Sequence, residues 1–210
     1  MNYKTDQENF WAEEFGDDYI DRNQGPLALA TNINFFSKVL KYAGKPSSLI
    51  EFGANIGINL KAVKLLYPDI NLHGIEINNK AAAILGKLLG SENVSNCSIF
   101  DYEATKKFEC SLIKGVLIHI NPEMLPIVYD KLYKTSSNYI LICEYYNPTP
   151  VTVNYRGKSD RLFKRDFAGE MLDRYTDLNL VDYGFVYKRD KQFPQDDITW
   201  FLLKKSNQNY

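Results

Sequence analysis

The chain has 210 residues, of which 45% are hydrophobic and 24% are charged, and its formal net charge is −1. Length and composition predict one folded domain with a sizeable core. A net charge this close to zero gives no electrostatic reason for non-specific binding to DNA or RNA. The chain has three cysteines, Cys97, Cys110 and Cys143. Their number is odd and the sequence has no CxxC motif, so we expect reduced cysteines rather than disulfides or a zinc site. Neither a signal peptide nor a transmembrane span is evident, which predicts a cytoplasmic protein.

Residues 1–45 predict a helical cap or lid. The polar and aromatic stretch 9–25 favours a short helix in part, and Pro26 opens a longer helix that ends near Gly44. Apolar residues at helical spacing form one face of this longer helix, namely Leu29, Ile33, Phe36 and Leu40.

Strands and helices then alternate through residues 46–146. Apolar runs predict strands at 48–53, 71–77, 94–100, 110–115 and 138–145. Helical patterns occupy 56–67 and 80–89, and a further helix begins with Asn121 as N-cap and Pro122 at its first position. Such alternation predicts an α/β fold with a doubly wound parallel sheet and right-handed crossovers.

Residues 147–210 follow a different pattern. Pro148, Pro150 and Gly157 predict a long loop over 147–160, followed by a helix over 164–175. Two strand patterns, 180–188 and 198–204, have no helix between them, so we expect an antiparallel pair.

The stretch Glu51-Phe-Gly-Ala-Asn-Ile-Gly57 ends the first strand and opens the next helix. A dinucleotide fingerprint would need glycines at Asn55 and Ile58, and an acid before the turn would repel a pyrophosphate. A cationic ligand group fits better beside Glu51. Glu76 ends the second strand, where an acid binds ribose hydroxyls, and Asp101 follows the third strand, where it can accept from an adenine amino group. The carboxyl ends of these strands meet at one edge of the sheet.

These motifs resemble those of the class I S-adenosylmethionine-dependent methyltransferases over roughly residues 30–205. The resemblance implies a Rossmann-like, mostly parallel seven-stranded sheet closed by an antiparallel pair, and S-adenosylmethionine as cofactor. It assigns the methionine end to Glu51 and Gly53, the ribose to Glu76, and the adenine to Asp101 with Tyr102. The full cofactor-binding set that it implies is Glu51, Gly53, Asn55, Gly57, Glu76, Ile77, Asp101, Tyr102 and Gly115.

Three further stretches, 10–23, 114–122 and 155–168, resemble the methylases associated with pseudaminic-acid biosynthesis. This likeness implies a small polar substrate: a sugar, a nucleotide sugar or a related anionic metabolite of surface-glycan biosynthesis. We expect 46–146 to be the cofactor-binding half and 147–210 to supply the substrate loop, helix and strand pair.

Each candidate catalytic or substrate residue has two interpretations. His119 is either a base or substrate-orienting group, or a packed core histidine. Glu144 either orients the substrate or a base, or simply ends its strand. The N-terminal candidates form a lid over the pocket or pack on the sheet, and the basic candidates clamp a phosphate or carboxylate or belong to a solvated helix face. These substrate-binding candidates are Trp11, Tyr19, Arg22, Asn23, Tyr146, Arg156 and Arg165.

Several function classes are disfavoured. No His/Asp/Glu cluster has metal-ligand spacing, so we expect metal-independent transfer of a methyl group to oxygen or nitrogen. The sequence Asn121-Pro-Glu123 lacks the Pro-Pro-aromatic motif of nucleic-acid amino-methyltransferases, so we expect a small-molecule substrate and neither nucleic acid nor membrane as partner. We expect a monomer or homodimer. A nicotinamide-dependent oxidoreductase and a non-catalytic cofactor-binding member of the fold remain alternatives.

Overall fold

The computed structural model describes residues 3–13, 16–17, 20, 25–155 and 158–206, without the side chains of 154, 155 and 158–161. Its helices are α1 Asp6–Ala12, α2 Pro26–Val39, α3 Ile58–Leu66, α4 Asn79–Leu89, α5 Leu125–Thr135 and α6 Phe167–Arg174. Its strands are β1 Ser48–Phe52, β2 Asn71–Glu76, β3 Val94–Asn96, β4 Phe108–Lys114, β5 Ser136–Glu144, β6 Val151–Tyr155, β7 Lys158–Lys164, β8 Leu178–Val186 and β9 Ile198–Lys205.

The central sheet has seven strands in the order β3-β2-β1-β4-β5-β9-β8. Strands β1 to β5 are parallel, and the pairs β5/β9 and β9/β8 are antiparallel. The chain reverses its direction of winding between β3 and β4, so β1 and β4 are neighbours with open carboxyl ends. The predicted Rossmann-like sheet with an antiparallel C-terminal pair is confirmed.

Both faces of the sheet are buried, which explains why its central strands are nearly continuous apolar runs. Leu49 of β1 packs in a cluster with side chains of α2, α3 and α4, whereas its neighbour Ile50 packs in the opposite cluster with α5 and α6. Alternate residues of each strand thus supply separate cores, and each fully buried Leu or Ile contributes about 1.5–3 kcal/mol. The two layers hold the strand ends in fixed register. None of the described helices is long and apolar enough to cross a membrane.

The prediction of a long loop over 147–160 is wrong. Residues Val151–Tyr155 and Lys158–Lys164 form an antiparallel hairpin with Val151 opposite Lys164. The prolines precede the first strand of this hairpin and do not interrupt it. The third strand is also shorter than predicted, because it ends at Asn96 and residues 98–101 form a turn.

The Asn121 cap is confirmed, with one change. Its side-chain Oδ1 accepts from the Glu123 N–H at 3.0 Å, and Pro122 is the first helical residue. The capped turn, Pro122–Met124, is a 3₁₀ helix that leads into α5.

Gly57 precedes α3 in the left-handed conformation, with φ of 82°. A Cβ at this position would lie 2.5 Å from Leu85 Cδ1 and 3.0 Å from Leu88 Cδ2 of α4. We expect Gly57→Ala to lower the free energy of unfolding by about 2–4 kcal/mol, through left-handed strain plus overpacking. Urea denaturation measures the change, and a free energy of unfolding within about 0.5 kcal/mol of wild type would contradict the expectation.

Candidate active site

A cavity lies at the carboxyl ends of β1, β2 and β4, where the turn after β3 and the helices α1 and α2 complete its wall. The loop after β1 contributes Gly53, Ala54, Asn55 and Ile56 to the lining. Glu76 and Ile77 follow from β2, and Lys114, Gly115 and Val116 from β4. The alternation of strands and helices therefore brings segments distant in sequence to one edge of the sheet, as predicted.

The loop after β1 requires glycine at Gly53. This residue has φ of 76°, its N–H donates to Ile75 O at 2.9 Å, and a Cβ would lie 2.6 Å from Val116 Cγ2. Asn55 has φ of 48° and its Oδ1 accepts from the Ile56 N–H at 2.6 Å. Asparagine tolerates the left-handed conformation through such a local hydrogen bond, so a middle glycine is not needed here. Gly57 is not among the described lining residues and instead packs against α4.

Glu76 lines the cavity and holds the loop after β1 in place by hydrogen bonds. Its Oε2 accepts from the Asn55 N–H at 2.7 Å and its Oε1 from the Asn78 N–H at 2.8 Å. Burial raises the pKa of Glu76, and the backbone N–H donors counteract that rise. Each carboxylate oxygen can accept a further hydrogen bond, so Glu76 can bind a hydroxyl while holding the loop.

One end of the cavity carries acceptor atoms without donors. Asn59 Nδ2 donates to Glu51 Oε1 at 2.6 Å, and Asn32 Nδ2 donates to Ala28 O at 3.0 Å. These bonds leave Asn59 Oδ1 and Asn32 Oδ1 buried with no hydrogen-bond partner among the described residues, and Glu51 Oε2 is in the same state. Asn32, Asn59 and Lys114 line the cavity, whereas Glu51 lies behind Asn59 and fixes its orientation. Unpaired buried acceptors are costly, so this end suits a ligand group with several N–H donors.

Burial raises the pKa of Glu51 to about 8, although the Asn59 hydrogen bond and the Lys114 charge counteract it. This value exceeds the ordinary value of 4.5, so the folded state keeps a proton that the unfolded state loses. The stability contributed by that proton is complete below the unfolded pKa and is lost as pH rises toward the folded pKa.

We therefore expect Glu51→Gln, which cannot ionise, to gain stability relative to wild type by about 2–4 kcal/mol between pH 5 and pH 8.5. Chemical denaturation at both pH values measures the difference. The exposed Asp69→Asn variant is the control. A pH-independent difference between wild type and Glu51→Gln would contradict the expectation.

Asp101 and Tyr102, the predicted adenine residues, are not among the described residues that line the cavity. Because β3 ends early, Asp101 lies beyond the turn, where its carboxylate pairs with Lys4 Nζ at 2.5 Å and is half exposed. The Tyr102 ring packs on Phe52 in the core. Ser98, Ile99 and Phe100 take this part of the wall instead, together with Glu8 of α1. Ser98, three positions before Asp101, is the polar residue in the sequence that could have indicated this part of the wall.

His119 lies on the 3₁₀ turn Leu117–His119 and lines the cavity. Its ring centroid is 4.7 Å from that of Trp11, so a residue of α1 packs against His119 at this part of the cavity wall. Glu144 Oε1 accepts from the N–H groups of Val116 and Leu117, each at 2.9 Å, and thereby holds the start of the turn. Burial raises the pKa of Glu144 to about 7. Glu144 is outside the described lining, so its geometry is that of a residue that positions His119.

The remaining substrate candidates lie apart from the cavity or outside the described residues. Tyr146 forms a bridge with Arg165, whose Nε donates to Glu170 Oε1 at 2.6 Å, and neither is in the described lining. The other candidates, Tyr19, Arg22, Asn23 and Arg156, lie outside the described part of the chain. Within the described ranges, no group of three or more His, Cys, Asp or Glu side chains could hold a metal ion.

No protein-family model and no curated protein matches the chain. Solved structures do. The 1,6-didemethyltoxoflavin-N1-methyltransferase of Burkholderia thailandensis, with 1,6-didemethyltoxoflavin and S-adenosylhomocysteine bound, has a TM-score of 0.75 at 14% identity, over 99% of this chain and 92% of that chain. The magnesium protoporphyrin IX methyltransferase of Synechocystis, with S-adenosylmethionine bound, scores 0.69 at 11% identity, over 98% of this chain and 100% of that chain. A sugar N-methyltransferase from a Streptoalloteichus species scores 0.65 at 12% identity, over 93% of this chain and 94% of that chain. The chain therefore has the Rossmann-like fold that these methyltransferases share.

Proposed function

We propose that this protein is an S-adenosylmethionine-dependent methyltransferase that acts on a small polar molecule. The observation that carries the proposal is the end of the cavity with the unpaired buried oxygens of Asn32 and Asn59. Two acceptors without donors fit an ammonium group, and Lys114 beside them fits a carboxylate. A ligand with an α-amino acid end satisfies both requirements with adjacent groups, whereas a nicotinamide dinucleotide carries its N–H donors and its pyrophosphate anion on separate parts of the molecule.

The remaining groups of the cofactor fit the same wall. Glu76 would accept from ribose hydroxyls, and the apolar side chains of Ile77, Ile99 and Phe100 would surround the purine. Glycine at Gly53 lets the backbone approach the ligand closely. When bound, S-adenosylmethionine supplies an electrophilic methyl group on a sulfonium, whose thioether product is a good leaving group.

The chain's own residues then have to position the acceptor and exclude water. In this proposal His119, at the cavity wall, takes a proton from a hydroxyl as it attacks, or from an ammonium group to give the amine that attacks, and Glu144 holds its turn. Trp11, an aromatic residue of the kind on which a sugar stacks, lines the cavity beside His119. From the sequence resemblance, the acceptor in this proposal is a sugar, nucleotide sugar or related anionic metabolite of surface-glycan synthesis, with transfer to oxygen or nitrogen and no metal.

Isothermal titration calorimetry with S-adenosylmethionine, S-adenosylhomocysteine and NAD tests the cofactor. We expect micromolar binding of the first two ligands and no measurable binding of NAD. Binding of NAD without either sulfur ligand would overturn the proposal. A panel of nucleotide sugars, assayed by formation of S-adenosylhomocysteine, then tests the acceptor class, and a panel without turnover would count against it.

A further inference from the structure

Glu8 of α1 is a buried carboxylate at the cavity wall, at 7% exposure. Its Oε2 accepts from the N–H groups of Lys4 and Thr5, at 2.6 Å and 3.0 Å, as part of a capping box. Its Oε1 is hydrogen-bonded to Ser98 Oγ, which also accepts from the Phe100 N–H at 3.0 Å. A carboxylate oxygen accepts, so the Ser98 hydroxyl donates its proton to Glu8. The carboxylate is thus held in one orientation from both sides.

Glu8 Oε1 keeps acceptor capacity after this bond. A carboxylate oxygen has two lone-pair sites, and Ser98 occupies one of them. Ser98, Ile99 and Phe100 all line the cavity beside Glu8, so the second site is at the wall of the same space. A carboxylate acceptor at the wall of a cavity favours a ligand N–H donor at that point.

The order of groups along the sheet edge places this acceptor at the nucleobase. Asn59 and Lys114, which suit the amino acid end, follow β1 and β4, and Glu76, which suits the ribose, ends β2. The turn containing Ser98 follows β3, the next strand outward, and Asn96 Nδ2 donates to Glu76 O at 2.9 Å across that pair. A ligand whose ribose is at Glu76 therefore extends its base toward the turn after β3 and toward Glu8.

Resting on the proposed function, we infer that Glu8, positioned by Ser98, accepts a hydrogen bond from the exocyclic amino group of the cofactor's adenine and selects it against a 6-oxo purine. Asp101, the acid that the sequence pattern favours for this role, is directed to Lys4 and lies outside the described lining. The N-terminal helix α1 then supplies the group that recognises the base.

Titration of wild type with S-adenosylhomocysteine and with S-inosylhomocysteine tests the inference without any acceptor. The inosine analogue carries a 6-oxo group, which a carboxylate repels and an amide can bind. We expect wild type to prefer the adenine ligand by about 10- to 100-fold. Glu8→Gln, which keeps the size and an acceptor for the capping box, is expected to reduce the preference to about threefold or less. Asp101→Asn is the matched control and should retain the wild-type preference.

An unchanged preference in Glu8→Gln would overturn the inference, and so would a collapse confined to Asp101→Asn. Thermal denaturation checks that both variants are folded. If Glu8→Gln is not folded, Glu8→Asp serves, because it keeps the charge but withdraws it by one methylene, and full retention of the preference there would again overturn the inference. Wild type that binds neither homocysteine ligand would overturn the proposed function and this inference together, whereas tight binding without base preference overturns the inference alone.

Discussion

Replacement of Glu76 by alanine is expected to weaken S-adenosylhomocysteine binding by at least about 100-fold. The substitution removes the acceptor for the ribose hydroxyls, and a hydrogen bond to a charged group contributes about 1.5–3 kcal/mol. It also removes the acceptor that fixes the N–H groups of Asn55 and Asn78, so the loop after β1 loses its attachment to β2. We therefore expect the affinity for S-adenosylhomocysteine and the order of this loop to decrease together. Calorimetric titration measures the loss of affinity.

The same variant should lower the free energy of unfolding by about 1–3 kcal/mol, because two backbone donors lose a buried partner. The raised pKa of Glu76 reduces this cost, since it reflects the penalty of burying the carboxylate itself. Glu76→Gln is the matched variant: it keeps one acceptor oxygen but directs an NH₂ group at the other N–H donor, so its binding should lie between wild type and Glu76→Ala. Asp69→Asn, an exposed acid, should leave both quantities unchanged. Binding within threefold of wild type in Glu76→Ala would remove Glu76 from the site.

The strands of the parallel half were predictable because their signal is local and strong. Leu49 and Ile50 pack on opposite faces of a sheet covered on both sides, and such strands read as continuous apolar runs between turn residues. The hairpin of β6 and β7 was missed because the prolines and Gly157 dominate a short alternating pattern, Val151-Thr-Val-Asn-Tyr155. A two-stranded pair outside the main sheet has little core to mark it.

The site was predictable where a residue's position follows from the strand that carries it. Gly53, Glu76 and Gly115 line the cavity because each lies at, or directly after, the carboxyl end of a strand of the parallel sheet. The same reasoning did not place Asp101 correctly, because β3 ends at Asn96 and Asp101 therefore lies beyond the turn that follows the strand. Asn32, Asn59 and Glu8 were missed because they are helix residues, and their meaning depends on which segments their amide or carboxylate groups meet across the fold. Helical spacing alone does not distinguish such residues from a solvated face.

His119→Ala is the substitution with the largest expected effect on turnover. His119 lies at the cavity wall on a turn whose first N–H groups are held by Glu144, and the Trp11 ring packs beside it. Loss of a general base lowers the rate by about 10²- to 10⁴-fold. None of the side chains that we assign to the cofactor is removed, so S-adenosylhomocysteine binding should stay within about threefold of wild type. The measurement is turnover at saturating acceptor, using the best nucleotide sugar of the panel, alongside calorimetric titration.

The pH dependence separates a base from a packing residue. If His119 takes the proton, turnover of wild type falls on the acid side as the imidazole becomes protonated, and His119→Ala loses that limb of the profile. Glu144→Gln is the matched variant, because it keeps one acceptor for the turn without touching the cavity, and we expect a decrease of about tenfold with the acid limb retained. Unchanged saturating turnover in His119→Ala would instead make His119 a packed residue, and the proton would then leave the acceptor without help from this side chain.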